Sequence, residues 1–188
     1  MVQELAARPS ITNPQGSGIG WRIALAVLLL SATFWLGSSA TRAIIGNHLL
    51  SPGTIELDPY LAPEAQRELF RLLSLTSLLV MTTYVGTFLS GIVFLWWSPF
   101  RLREHGWLLL CAILFFVFVP VEVYTMSLDA RMIYEEFFTT SDNLVFRELF
   151  LKRVTALNGA PIVAMCCYLT IIGIAVFQPF RRPPTDDA

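Results

Sequence analysis

The stretch WLLLCAILFFVFVPVEVYTM, from Trp107 to Met126, holds a single charged side chain, Glu122. A helix needs roughly 20 mainly apolar residues to cross the ~30 Å hydrocarbon core of a bilayer, so this stretch predicts a transmembrane helix. Three further apolar stretches of similar length are centred near Leu29, Tyr84 and Met165. Together they predict an all-α integral membrane protein, a four-helix transmembrane bundle.

Composition points the same way. The 188 residues are 55% hydrophobic and 14% charged, against about 25% charged in a typical soluble domain. The net charge of −1, with Lys and Arg scattered along the chain, gives no basic field to attract nucleic acid, so none is expected as a partner. The three cysteines, Cys111, Cys166 and Cys167, fall inside apolar segments, where cysteine acts as a small hydrophobe. There is no Cys-x-x-Cys for disulfide exchange.

Punctuation residues set the expected boundaries. Residues 1–20 read as a flexible tail, because Pro9 to Gly20 is rich in Pro, Gly and Ser. A first helix is expected over about 21–45. Its apolar run exceeds the ~7–15 residues of a signal-peptide core, so it is expected to be retained although Ser38-Ser39-Ala40 offers small residues at its end. Pro63 and Glu64 suit the first turn of a second helix, over about 63–98, that Ser98-Pro99 stops. A short hairpin leads to a third helix over 107–138, antiparallel to the second. The fourth is expected over 151–178, with a kink at Pro161, before a short polar tail at 179–188. Residues 21–178 thus form one domain, with its two longer loops, Gly46 to Pro63 and Leu128 to Phe150, on the face opposite the termini.

Trp21, Trp96, Trp97 and Trp107 fall at the termini's face, as an aromatic belt does. Arg101, Arg103, Arg181 and Arg182 hug helix ends on that same face, and the positive-inside rule acts most strongly there. The expected location is therefore the cell membrane, with both termini in the cytoplasm. The segment around Met132, Ile133 and Phe137, with Phe146, Leu149 and Phe150 beyond it, has amphipathic helical spacing, which predicts a cap on the bundle or a docking element.

Glu122 is the most unusual residue. An acid at mid-membrane costs at least ~2.5 kcal/mol unless paired, protonated or hydrated. Counting ~1.5 Å per residue, Arg42 and Asn158 reach comparable depth, and Arg42 continues an inward stripe through Ser31 and Ser38. The expected cluster is an Arg42–Glu122 ion pair completed by Asn158 or Tyr124, with Arg153 as a further cation at that end. It is read either as a packing device or as a proton-titrating or ligand-binding carboxylate. Glu122, Asp129 and Glu136 are spaced by seven, so they form an acidic line, read as the solvated side of an overrunning helix or as a guide for cations. Thr76, Thr83, Thr87, Ser90, Gly86 and Gly91 mark a packing seam on the second helix, or with Tyr84 a narrow polar pathway.

His48 and His105 are expected a membrane thickness apart, too far to ligate one haem. No catalytic set, metal site or cofactor is expected. The expected partners are the lipid bilayer and other membrane subunits or further copies of the chain. The expected role is a structural or accessory component of a membrane assembly. The alternatives are a small transporter or ion-conducting protein using Glu122, and a membrane enzyme with its site at the helix ends opposite the termini.

Overall fold

The structure, a computed structural model, describes residues 19–100, 102, 105–139 and 143–179, without the side chains of Asn143, Leu157 and Asn158. Six helices account for most of these residues: α1 (Gly20–Asn47), α2 (Pro63–Trp97), α3 (Gly106–Phe116), α4 (Val119–Phe138), α5 (Asn143–Val154) and α6 (Ala160–Phe177), with a 3-10 turn, Ala156–Gly159, before α6. Extended pairing among the described residues is limited to one isolated bridge between Leu50 and Leu57. Four segments are long and apolar enough to cross a membrane: Gly20–Asn47, Pro63–Trp97, Gly106–Phe138 and Ala160–Phe177. The protein is an all-helical membrane bundle.

The end of the bundle carrying Asn47, Pro63, Phe138 and Ala160 is called the loop end here, and the opposite end the terminal end. α1 and α2 pack against each other as the most extensive pair, α3 pairs with α6, and α4 packs on α2 and α5. The α1–α2 seam is close because glycine removes side-chain bulk. A Cβ at Gly86 would meet the Ser31 Cβ at 3.6 Å, and one at Gly91 the Leu28 Cδ1 at 3.8 Å. Thr87 and Ser90 are buried in this seam, whereas Thr76 and Thr83 stand at its edge. All four hydroxyls donate to carbonyls three or four residues back on α2, so they satisfy themselves within their own helix.

One of the four candidate spans is broken, and a break stands just before another. The third helix, expected unbroken over 107–138, is interrupted at Val117 and Phe118, with Pro120 in the first turn of α4. Proline has no N–H to donate to the carbonyl four residues back and its ring crowds that carbonyl. The fourth expected helix, 151–178, is two helices rather than one kinked helix. Its break runs through the 3-10 turn to Gly159, at φ 89°, and Pro161 opens α6. A left-handed residue followed by proline ends one helix and starts the next. α6 has 18 residues, roughly 27 Å at 1.5 Å per residue, close to the hydrocarbon thickness.

The core has three levels. At the loop end Leu49, Phe70, Leu73, Met132, Phe146 and Phe150 form a cluster, with Phe70 and Phe146 stacked at 4.4 Å between ring centroids. α2, with 35 residues, is about 52 Å long, so its first turns extend past a ~30 Å core. The cluster therefore forms a cap built from the ends of α1, α2 and α4 together with α5. The middle level holds Trp35, Val80, Tyr84, Ala164 and Tyr168. At the terminal end Ala24, Phe94 and Leu108 are buried with Trp21 and Trp107 against them.

Candidate functional site

Between the cap and the middle level lies a buried charged cluster. Arg42 is on α1, five residues before its end, and donates in parallel to Asp129 on α4: Nη1 to Oδ2 at 2.6 Å and Nη2 to Oδ1 at 2.5 Å. Arg153, in the last turn of α5, donates Nε to Asp129 Oδ1 at 2.6 Å. The end of a helix carries partial negative charge that suits a cation. Asp129 is 1% exposed. Planar guanidinium groups fit a carboxylate fork, and such charge-assisted bonds are about twice as strong as neutral ones. Because Arg42 and Asp129 are buried, removing either strands the other, at a typical cost of ~3–5 kcal/mol. The three residues tie α1, α4 and α5 together where the cap meets the membrane-spanning part.

Glu122 lies seven residues before Asp129, in the first turn of α4 immediately after the helix break. That position is favourable for an anion, since the first N–H groups of a helix point toward it. Its Oε1 accepts a hydrogen bond from the Tyr168 hydroxyl on α6 at 3.2 Å. Arg42, Arg153 and Asp129 are all within electrostatic reach of it. Two guanidinium groups and two carboxylates thus share this region, with a formal sum of zero.

Below them an aromatic layer closes the bundle. Trp35 on α1 packs on Tyr84 of α2 at 5.0 Å and on Tyr168 of α6 at 4.7 Å, with Phe115 of α3 at 6.3 Å, centroid to centroid. The Tyr84 hydroxyl oxygen is buried and has no hydrogen-bond partner among the described residues, a condition it shares with Ser74 Oγ.

The expected site is partly redrawn. Arg42 faces inward with Ser38, as its stripe predicts, but the carboxylate that it binds is Asp129, not Glu122. The reason is reach: Asp129 is two turns nearer the loop end, level with the last turns of α1. Arg153 joins the cluster. Tyr124 does not, being 40% exposed on the outer side of α4. Asn158 lies in the 3-10 turn, and its side chain is outside the described residues. The acidic line also differs from its solvated reading, because Asp129 is buried and Glu136 lies near Arg67 and Arg71 of α2. Tyr168 was not among the expected residues; an aromatic hydroxyl inside an apolar helix gives no distinctive sequence signal. Asp129 did leave one, its seven-residue spacing from Glu122.

His48 caps the end of α1 and His105 precedes α3, at opposite ends of the bundle. Among the described residues no three His, Cys, Asp or Glu side chains come together as metal ligands. A shallow groove of about 400 Å³ on the cap is lined by Ala130, Arg131, Tyr134, Glu135, Val145 and Leu149, on α4 and α5 and apart from the charged cluster. Comparison with known proteins finds no matching family model, no matching curated protein and no matching solved structure.

Proposed function

We propose that this protein is a structural or accessory component of a membrane assembly and carries out no chemistry of its own. The observation that carries this reading is the closed interior. Arg42, Asp129 and Arg153 are bound to one another at the loop end, Glu122 is held by Tyr168, and beneath them Trp35, Tyr84, Phe115 and Tyr168 fill the bundle. Ala24, Phe94 and Leu108 continue the core to the terminal end, and the hydroxyls of Thr87 and Ser90, buried between these levels, donate to carbonyls of their own helix. This supports an interior, among the described residues, that does not pass an ion or a proton. The cap adds support, since Tyr134 and Phe138 stack on each other at 5.7 Å while exposed, and aromatic side chains are enriched where proteins meet. We place the termini in the cytoplasm of a cell-membrane protein, on the local density of Arg101, Arg103, Arg181 and Arg182. Purification in a mild detergent, with identification of every bound protein, tests the assembly role. A stoichiometric membrane partner is the expected result; a monodisperse single chain without partners argues against it.

A second reading, a small transporter working through Glu122, is favoured by one observation. Glu122 directly follows the break in the third span, and discontinuous helices frame the binding sites of many transporters. Reconstituted vesicles would then show substrate- or pH-dependent flux that Glu122→Gln abolishes.

A further inference from the structure

We propose that one water molecule occupies an internal site between Glu122, Tyr168 and Tyr84, bridging the Tyr84 hydroxyl to the Glu122 carboxylate and so joining α2 to α4 in the middle of the bundle. Three observations lead there. The Tyr84 hydroxyl is orphaned in a residue only 4% exposed, and buried polar groups left without protein partners are normally satisfied by ordered water. Glu122 accepts one described side-chain hydrogen bond, from Tyr168, whereas a carboxylate has about four acceptor sites. Both phenols lie within electrostatic reach of Glu122, and both rings pack on Trp35.

Charge decides what fills the site. Arg42 and Arg153 are balanced by Asp129 and Glu122, so a neutral occupant leaves the cluster formally neutral, whereas a metal ion would add an unpaired charge in a region of low polarity. Water also supplies what both neighbours require, a donor for the carboxylate and an acceptor for the phenol.

The test is a double-mutant cycle on the full chain in detergent, with Tyr84→Phe, Glu122→Gln and both together. Losing a bridged hydroxyl should lower the melting temperature by ~2–4 °C, and the loss should shrink clearly in the Glu122→Gln background. If Glu122→Gln does not fold, Glu122→Asp replaces it. Infrared spectra of the wild type should contain an internal-water O–H band that shifts in H2(18)O and is absent from Tyr84→Phe. An unchanged or raised melting temperature for Tyr84→Phe, strict additivity, or the absence of that band overturns the proposal. A melting temperature that falls when sodium is replaced by choline, in the wild type but not in Tyr84→Phe, identifies a metal ion instead and overturns the neutral occupant.

Discussion

A Cβ built on Gly46 would lie 3.5 Å from Cε2 of Phe150. Gly46 is one turn beyond Arg42 on α1 and Phe150 is three residues before Arg153 on α5, so this ring contact seats the cap directly over the ion cluster. A single methyl fits at that distance, and alanine also restores helix propensity worth ~0.5–1 kcal/mol. Gly46→Ala should therefore keep or slightly raise the melting temperature. Gly46→Leu should cost ~1–3 kcal/mol by overpacking. Equal melting of the two variants would mean that α5 does not rest on α1.

The parallel hydrogen bonds between Arg42 and Asp129 predict strong coupling in a stability cycle. Arg42→Leu and Asp129→Leu should each destabilise by ~3–5 kcal/mol, and the double variant should lose much less than the sum. Arg42→Leu combined with Glu122→Leu should lie closer to additive, because no hydrogen bond joins Arg42 to Glu122. Chemical denaturation in mixed micelles provides the measurement, and the reverse ordering of the two couplings would contradict the described geometry.

Gly159, at φ 89°, occupies a backbone region that costs residues with a Cβ roughly 1–2 kcal/mol. Gly159→Ala should destabilise by about that amount, and Gly159→Asn by less, since asparagine tolerates this conformation better. Equal melting of the wild type and Gly159→Ala would show that the turn before α6 is not held in the left-handed form.

The proposed topology of four crossings requires both termini on one face. New cysteines at Ser10 and Thr185 should be labelled by an impermeant reagent from the same side, and those at Ser51 and Ser141 from the other. Labelling of Ser10 and Thr185 from opposite sides would remove the four-span architecture. Labelling of both from outside the cell would reverse the orientation proposed above.

Much of the fold was legible because lipid imposes a simple requirement. A crossing needs a long apolar run, and Trp107 to Met126 announces one without reference to any other part of the chain. Pro63 and Pro99 could likewise be read locally, since proline acts on its own helix, whereas Pro120 was missed, the third helix being expected unbroken over 107–138. The partner of Arg42 could not be read in this way. Choosing between Glu122 and Asp129 depends on how far α1 runs relative to α4, and the break at Val117 and Phe118 shifts that register. Tyr168 was hidden for a related reason: its role exists only because the turn at Gly159 fixes the depth at which α6 begins.

The buried cluster of the cap is assembled from residues that lie far apart in the order of synthesis, from Leu49 to Phe150. A ribosome releases Leu49 and Phe70 long before Met132, Phe146 and Phe150, so these apolar side chains remain without their packing partners until synthesis has passed Phe150. The cap is therefore a surface that arises only after α5 has been made. A subunit that bound there would distinguish chains that have reached this stage from those that have not, with no separate signal required.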